Sequence, residues 1–260
     1  MHEYALAAAQ TIAVRGDVAA NIAQHLELVR CAAAQRARLL VFPELSLTGY
    51  ELDLADSLAF TEHDARLAPL AEAARTHAMQ LVVGAPLRID SALYIGAVIL
   101  GPDGSTTLYT KHHLGAFQPS DALDGVVPPP EESVFRAGTC NPLLELAGHR
   151  IAVSICADSL YRSHLQSAAE RGADTYLSSQ FATPRYYDLK VSVLQRRAVR
   201  FGLTVVLANF TGSTGGLPAA GGSGIWSREG EVLAQLGSQG IGVALAAACD
   251  SGFRTRTVML

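Results

Sequence analysis

Three side chains with complementary chemistry, Glu44, Lys111 and Cys156, follow short apolar runs in this sequence. The runs have the length and composition of buried strands, at residues 39–42, 106–110 and 151–155. Because the carboxyl ends of strands in open α/β folds leave a crevice for ligands, we expect these side chains to meet at one site. A carboxylate, an ammonium and a thiol together supply the groups needed for acyl transfer.

The chemistry of such a site follows from the three groups. A free thiol has a pKa near about 8.5, so only a few per cent is nucleophilic thiolate at neutral pH. A carboxylate whose pKa is raised by burial can accept the thiol proton during attack. An ammonium in a dry site stabilises the oxyanion, and the backbone N–H of Ala157, just after the thiol, is the natural second donor. The residues therefore predict a thioester that water hydrolyses, with the same glutamate as base.

Each of these residues has an ordinary interpretation when it is considered alone. A free cysteine is most often a buried apolar residue, a lysine lies on the surface, and Glu44 would be a loop carboxylate. His112 and His113, next to Lys111, are interpreted as structural or substrate-loop residues, because no carboxylate cluster completes a metal site. Asp158 is expected to accept backbone N–H groups at the turn after the thiol.

The elements that must position these side chains occur twice in the same order. In the first half the pattern predicts strand, helix, strand, helix, strand and hairpin, at residues 4–9, 17–38, 39–42, 61–77, 80–84 and 93–110. In the second half the order returns, at residues 150–155, 161–171, 175–177, 186–201, 204–208 and 224–236, with a closing strand at 240–247. Two such halves predict two sheets with helices on their outer faces, a four-layer αββα arrangement of the α/β class.

Composition indicates a globular protein. The chain has 260 residues, of which 49% are hydrophobic and 17% charged, enough for one large domain or two small ones, and we expect a single domain spanning residues 1–260. The formal net charge of -4, without a basic run, makes nucleic acid or an anionic membrane an unexpected partner. No stretch has the roughly 18 consecutive apolar residues of a membrane helix. With no signal-peptide pattern and four widely spaced cysteines, we expect a cytoplasmic chain with reduced thiols and no metal site.

Three segments resemble the signature blocks of the nitrilase superfamily of carbon–nitrogen hydrolases. They are Phe42-Pro-Glu44 with Gly49-Tyr50, Tyr109-Thr-Lys-His-His-Leu114 and Ile155-Cys-Ala-Asp158, in the family's order. The resemblance extends over nearly the whole chain. It implies an αββα sandwich, no metal or organic cofactor, and a homodimer or higher homo-oligomer. It also implies a Glu-Lys-Cys triad with Glu44 as general base, Lys111 as oxyanion stabiliser and Cys156 as nucleophile.

The resemblance implies a second catalytic glutamate between the lysine and the cysteine. The family places it a few residues before a Phe and a Gly. Glu131, four residues before Phe135, is the predicted residue, and Glu132 is the alternative. Asn209 and residues 222–225 match further landmarks of the family, which we interpret as structural.

The residues after the cysteine bear on the substrate class. N-carbamoyl amino acid hydrolases of this superfamily place arginines there to hold a carboxylate, whereas this chain has Ser159 and Leu160. Nitrile-cleaving members typically carry Cys-Trp-Glu, and Cys156-Ala-Asp158 resembles the amidases instead. The predicted function is hydrolysis of the amide of a small carboxylic acid, with release of ammonia or an amine. The alternatives are a nitrilase or an acyltransferase with the same triad, or a non-catalytic binding or regulatory member of the fold.

Two loops are expected beside the substrate. Residues 115–130 are rich in proline and long, which is typical of a lid or binding loop. Phe117 and Gln118 in this loop are predicted substrate contacts, together with Tyr50 and Tyr186. The glycine-rich residues 212–224 lack the Gly-Lys-Ser/Thr ending of a phosphate cradle, so we expect a flexible loop near the mouth of the site.

Overall fold

Helices and strands alternate along the chain in the computed structural model, which describes residues 5–249 and 252–260. The helices are α1 (Val18–Ala34), α2 (Ala55–Leu58), α3 (Ala68–Thr76), α4 (Arg162–Glu170) and α5 (Pro184–Phe201). The strands are β1 (Ala5–Thr11), β2 (Ala37–Val41), β3 (Gln80–Ile89), β4 (Ala92–Leu100), β5 (Thr106–Thr110), β6 (Leu143–Leu146), β7 (His149–Ile155), β8 (Thr175–Ser179), β9 (Thr204–Phe210), β10 (Ser213–Thr214), β11 (Leu217–Pro218), β12 (Gly224–Trp226), β13 (Val232–Gln235), β14 (Gly242–Cys249) and β15 (Gly252–Met259).

Thirteen of the strands form two sheets that are joined along one short parallel contact, and β10 and β11 form a separate ribbon. The first sheet has the order β5-β4-β3-β2-β1-β14-β15, and the second has the order β6-β7-β8-β9-β12-β13. Strands β1 and β9 pair in parallel where Gln10 lies opposite Asn209 and Thr11 lies opposite Phe210. Away from this contact the two sheets face each other.

Alternation of apolar residues along the strands produces one core between the sheets and one on each outer face. Leu39 and Val41 of β2 lie in the cluster between the sheets, whereas Leu40 lies in the cluster under α1 and α3. On β9, Val206 faces the other sheet and Val205 packs against the residues of α4 and α5. Successive strand residues point to opposite faces, so each sheet has apolar residues on both faces. One face packs against the other sheet and the opposite face packs against helices. This arrangement confirms the predicted four-layer αββα fold.

Local signals define the ends of the long helices. The side chain of Asp17 accepts a hydrogen bond from the Ala20 N–H (3.0 Å) and caps α1. Pro184 occupies the first turn of α5, and Gly202 ends this helix in the left-handed region (φ +66°). Within residues 5–249 and 252–260, no helix combines the length and apolar character that crossing a bilayer requires.

The structure confirms most of the predicted elements and corrects others. The predicted hairpin at 93–110 is β4–β5, but β3 runs on to Ile89 and forms a second hairpin with β4. Strands β6, β10, β11 and β15 were not predicted. The helix predicted from Thr61 begins instead with a 3-10 turn (Ala65–Leu67) capped by Asp64. The first strand was predicted to start at Tyr4, which lies outside the described residues.

Candidate active site

Glu44 lies in a tight turn after β2, between the two sheets. Its backbone N–H donates to the Gln180 carbonyl (3.4 Å) beyond β8, and Leu45 beside it has a φ of +52°. This turn passes so close to β3 that a Cβ atom on Gly84 would lie 2.4 Å from backbone atoms of Pro43 and Leu45. A glycine at position 84 is therefore what allows the turn to carry Glu44 into the space between the sheets.

A buried histidine supports the same turn from helix α1. The Ser46 hydroxyl accepts from the Gly84 N–H (3.1 Å) and lies 2.9 Å from Nε2 of His25. Nδ1 of His25 lies 2.7 Å from the Asn21 carbonyl, so Nδ1 carries the proton and Nε2 accepts from Ser46. Burial lowers the pKa of His25 to about 4. Sequence reasoning missed this contact, because a histidine on the apolar face of a helix does not reveal its partner.

Lys111 joins two carboxylates in the interior. Its Nζ atom donates to Oε1 of Glu44 (2.6 Å) and to Oε1 of Glu131 (2.7 Å), and its side chain is fully buried. Burial alone would lower the pKa of the ammonium, but the charges of the two glutamates outweigh burial and raise this pKa. Lys111 is therefore a permanent cation with two of its three N–H groups engaged.

Glu131 connects Lys111 to the loop at residues 115–130. Its Oε1 atom also accepts from the Tyr50 hydroxyl (2.7 Å), and Oε2 accepts from the Gly115 N–H (2.8 Å). The Glu131 N–H in turn donates to the Gly115 carbonyl (3.1 Å), which closes the two ends of the loop. Glu132 is exposed. Of the two candidates for the second glutamate, the structure thus brings Glu131 to Lys111.

The Glu44 carboxylate has one occupied and one open oxygen. Burial raises its pKa to about 7, with the charge of Lys111 lowering the pKa and that of Glu131 raising it. Its Oε2 atom is buried and has no hydrogen-bond partner among the described residues. A buried carboxylate oxygen without a donor is well suited to accept a proton.

Cys156 ends strand β7 in an unusual backbone conformation. Its φ of +43° is in the left-handed region, and a 3-10 turn (Cys156–Leu160) begins there. The side chain is 8% exposed, and Sγ lies 3.7 Å from the Phe181 carbonyl. Burial raises the pKa of the thiol, while the positive charges of Lys190 and Lys111 lower it. The group is therefore a thiol at neutral pH and needs a base to become a nucleophile.

Asp158 holds the turn after Cys156, as the sequence predicts. Its carboxylate accepts from the N–H groups of Ile155 (3.1 Å), His112 (3.1 Å) and His113 (2.8 Å). These bonds tie the end of β7 to the segment after Lys111. The ring of His113 stacks on Tyr161 with centroids 3.7 Å apart, which agrees with a structural role for this histidine.

A cavity of about 150 Å³ opens at Cys156. Every residue predicted to contact the substrate lines it, together with Ala157 and Glu131. The complete lining is Tyr50, Gly115, Ala116, Phe117, Gln118, Asp121, Glu131, Cys156, Ala157, Leu160, Tyr186 and Lys190. Glu44 and Lys111 lie deeper, fully buried behind this lining. A larger groove of about 670 Å³ lies between the end of α1 and β14–β15, and none of the predicted site residues lines it.

Asn209, which was predicted to be structural, does not line the cavity. Asn209 is inside β9 and not after it, because the strand continues to Phe210, and its amide bonds the backbone of Ala182 and Gly221. The flexible glycine-rich loop predicted near the mouth of the site stays a prediction. Residues 212–224 contain the short ribbon β10–β11, where the Thr214 hydroxyl accepts from the N–H of Tyr50 (2.8 Å), a residue of the cavity lining.

No group of three His, Cys, Asp or Glu side chains is arranged to hold a metal ion in the part of the chain that the structure describes. What the site does offer is a thiol, a base of suitable pKa and a buried ammonium around one small cavity. These groups can carry out acyl transfer through a covalent intermediate.

Comparison with known proteins agrees with this chemistry. The sequence profile described as Carbon-nitrogen hydrolase matches residues 5–252. The 2-oxoglutaramate amidase of Bacillus subtilis (strain 168) is 30% identical over 209 residues, which cover 79% of this chain and 76% of that protein. The (R)-stereoselective amidase of Pseudomonas sp. is 28% identical over 225 residues, covering 85% of this chain and 77% of that protein.

Solved structures give the same result. A double mutant of the amidase from Nesterenkonia sp. AN1 in complex with acrylamide has a TM-score of 0.82 and 25% identity, and the match covers 96% of this chain and 92% of that chain. A mutant of the same amidase with the acetamide moiety of fluoroacetamide covalently added at its active-site cysteine has a TM-score of 0.80 and 26% identity, with 95% and 91% covered. The chain therefore belongs to the carbon–nitrogen hydrolase family and is an amidase-like enzyme of the nitrilase superfamily.

Proposed function

We propose that this enzyme hydrolyses the amide of a small carboxylic acid through a thioester on Cys156. Glu44 acts as general base and Lys111 as oxyanion stabiliser, and Glu131 is the second glutamate, which holds Lys111 in place. The observation that carries the proposal is the buried Lys111 ammonium held between Glu44 and Glu131 (2.6 and 2.7 Å), beside the cavity where Cys156 opens. A preorganised positive charge of this kind supports the stabilisation of an oxyanion.

The first step forms the thioester. The thiol proton passes to the open Oε2 of Glu44 as Sγ of Cys156 bonds to the amide carbon, and the carbonyl oxygen becomes the oxyanion. The third N–H of Lys111 and the N–H of Ala157 stabilise this oxyanion. When the intermediate collapses, the C–N bond breaks, and the proton on Glu44 passes to the departing nitrogen, which leaves as ammonia or an amine.

The second step returns the free enzyme. Glu44 takes a proton from water as the water oxygen bonds to the thioester carbon, and the oxyanion forms again at the same donors. Cleavage of the C–S bond releases the carboxylic acid, and the proton returns from Glu44 to the Cys156 sulfur. One glutamate thus serves both half-reactions, which its pKa of about 7 suits.

The cavity supports a small acyl group. Its volume is only about 150 Å³. The rings of Tyr50, Phe117 and Phe181 pack together on one side, with centroids 5.0 to 5.4 Å apart. Packed rings of this kind leave no room for a bulky acyl chain.

Two other reactions could use the same thioester. A nitrile could form it when the thiol adds to the nitrile carbon and the resulting thioimidate takes up water and releases ammonia, and an amine could accept the acyl group in place of water. The Cys-Ala-Asp sequence and the amidases among the relatives favour amide hydrolysis. A non-catalytic binding role is disfavoured, because all three triad residues are present and the chain belongs to an enzyme family.

We also propose a cytoplasmic homodimer or higher homo-oligomer. Cys31, Cys140 and Cys156 are free thiols, as cysteines of a reducing compartment are. Leu189 and Val199 on α5 are 59% and 43% exposed, and such apolar positions on one helix suit a contact with a second copy. Sedimentation equilibrium measures the assembly directly, and a monomer at micromolar concentration would contradict this part of the proposal.

Intact-mass spectrometry tests the mechanism. The wild type and Cys156→Ala are incubated with small amides and the matched nitriles, then denatured, and ammonia is measured in parallel. We expect an acyl adduct on the wild type alone, with ammonia released only by the wild type. Equal ammonia release by both proteins without an adduct would rule out the thioester. Transfer to added hydroxylamine distinguishes acyl transfer from hydrolysis.

A further inference from the structure

The chain has only two lysines, and both lie at the candidate active site. The sequence has 20 lysines and arginines together; Lys111 and Lys190 are the lysines, and the other 18 are arginines. Lys111 has a position in the proposed mechanism, whereas Lys190 has none. Its ammonium is a compact point charge, which fits a small cavity where a guanidinium would occupy more of the space.

Lys190 lines the same cavity as Cys156 but comes from a different element. It lies on α5, one helical turn after Tyr186, so both residues share the face of the helix that borders the cavity. Its Nζ atom lies 5.9 Å from the ring centroid of Phe117 in the opposite loop. Its charge is close enough to lower the pKa values of both Cys156 and Glu44.

The Lys190 ammonium makes no hydrogen bond or ion pair with another residue across 5–249 and 252–260. The acidic residues of the cavity are already engaged. Asp121 accepts from the Thr183 hydroxyl (2.7 Å) and the Gln118 N–H (2.8 Å), and both oxygens of Glu131 are bonded as described above. A half-buried cation without an anionic partner favours an anion brought by a ligand.

We propose that Lys190 binds a carboxylate on the acyl part of the substrate, so that the preferred substrates are monoamides of short dicarboxylic acids. This inference rests on the proposed amidase function and adds the substrate class. The cation comes from α5 and not from the residues after the cysteine, which are Ser159 and Leu160. The amide carbonyl lies at Cys156 while the far carboxylate contacts Lys190, and Phe117 covers the chain between them.

A binding experiment tests Lys190 without using activity. Cys156→Ala protein grown with ¹³Cε-lysine shows only two lysine signals, and Lys190→Met in the same background assigns them. We add succinamate, glutaramate and adipamate, and in parallel the neutral butyramide, valeramide and hexanamide. We expect the Lys190 signal to shift saturably with at least one of the anions, which binds about tenfold or more tightly than its neutral counterpart. No shift with any of the three anions would overturn the proposal.

A kinetic experiment measures selectivity as the ratio of kcat/KM for each anionic amide to that for its neutral counterpart. In Lys190→Met this ratio should fall about tenfold or more, and in Lys190→Glu it should fall further. Arg196→Met removes an exposed cation from the same helix outside the cavity, so its ratio should stay within about twofold of wild type.

The two proposals fail in different ways. An unchanged ratio in Lys190→Met, or equal losses on the anionic and neutral amides, would overturn the role of Lys190 and leave the amidase mechanism standing. An equal loss would instead indicate that Lys190 acts on the thiol. If Cys156 forms no adduct and the wild type hydrolyses none of the amides, the proposed function fails, and the binding experiment still decides whether Lys190 holds a carboxylate.

Discussion

At the scale of single residues, the backbone of Cys156 is held in a conformation that L-amino acids rarely adopt. A φ of +43° brings Cβ close to the following backbone and costs about 1–2 kcal/mol for any residue other than glycine. The hydrogen bonds of Asp158 to Ile155, His112 and His113 maintain this conformation. Strain of this kind concentrates at functional sites, where it points a side chain into a cavity.

Two substitutions of the same cysteine measure this strain. Cys156→Gly and Cys156→Ala both remove the thiol and should both be inactive. We expect the glycine variant to be more stable to unfolding by about 1 kcal/mol, because glycine adopts positive φ without penalty. Urea denaturation of the two proteins gives the difference. If the alanine variant is equally or more stable, the left-handed backbone at Cys156 is not strained.

The pKa of Glu44 predicts the pH dependence of the reaction. Burial raises this pKa to about 7, and the residue must be ionised to accept the thiol proton. We therefore expect kcat/KM to rise with pH and to level off above an apparent pKa of about 7, and Glu44→Gln to be inactive at every pH. The measurement is kcat/KM from pH 5 to 9. A profile that is already flat from pH 5 upwards would remove Glu44 as the base.

At the scale of elements, the turn after β2 depends on its neighbour β3. Pro43 and Leu45 approach Gly84 so closely that a methyl group cannot fit, and Ser46 and His25 fasten the turn from the other side. The position of Glu44 is thus determined by contacts with two other elements. Substitutions at Gly84, Ser46 or His25 should therefore displace Glu44, although none of these residues touches the substrate.

Gly84→Ala tests this dependence. The added Cβ would meet backbone atoms at 2.4 Å, so the turn or β3 must move. We expect the free energy of unfolding to fall by about 2 kcal/mol or more, and kcat/KM to fall at least about tenfold because Glu44 is displaced. Gly237→Ala is the control, since no atom lies within 4 Å of a Cβ there. Equal behaviour of the two variants in both measurements would contradict this account of the turn.

At the scale of the whole molecule, two neutral histidines are buried on different sides of the sandwich. Burial lowers the pKa of both His25 and His164 to about 4. His25 bonds Ser46 in the first half, and His164 lies 3.0 Å from the Tyr109 hydroxyl and 2.8 Å from that of Tyr176. In the unfolded chain both histidines have a pKa near 6.5. Acid therefore protonates them in the unfolded state first.

The buried groups His25 and Glu44 make the stability of the fold respond to pH in opposite directions. The stability contributed by keeping His25 neutral is complete above pH 6.5 and is lost as the pH falls towards 4. The raised pKa of Glu44 acts in the opposite direction, since its contribution is present at low pH and is lost as the pH rises through 7. We expect the stability advantage of the wild type over His25→Gln to shrink from pH 7.5 to pH 5, as measured by urea denaturation. An advantage that grows on acidification would contradict the buried neutral state of His25.

The order of helices and strands along the chain agrees with the layers of the whole molecule. The alternation of elements predicts the αββα layers, which the structure confirms. A single domain over residues 1–260 stays a prediction, which the core shared by both sheets supports. Strand β6 was not predicted, because Leu143–Leu146 has only four residues of moderate burial and lacks a sustained apolar run.

The residue types and their order indicate the kind of chemistry, because a thiol, a carboxylate and an ammonium are a nucleophile, a base and an oxyanion donor, although their pKa values depend on the fold. For this reason Glu44, Lys111 and Cys156 could be selected at the ends of apolar runs, whereas Glu131 was selected through the family resemblance, which places a glutamate a few residues before a Phe and a Gly. The apolar periods likewise determine the layers, since burial follows the spacing of side chains along a helix or strand.

Only the tertiary structure could decide which side chains meet. The choice of Glu131 over Glu132, the open oxygen of Glu44 and the position of Lys190 beside Cys156 all depend on strand pairing and loop closure between segments far apart in sequence. Local patterns do not encode such contacts, because they arise only when the two sheets pack. Lys190 illustrates the limit: in the sequence it is one charge on a helix, and in the fold it lines the cavity of the nucleophile.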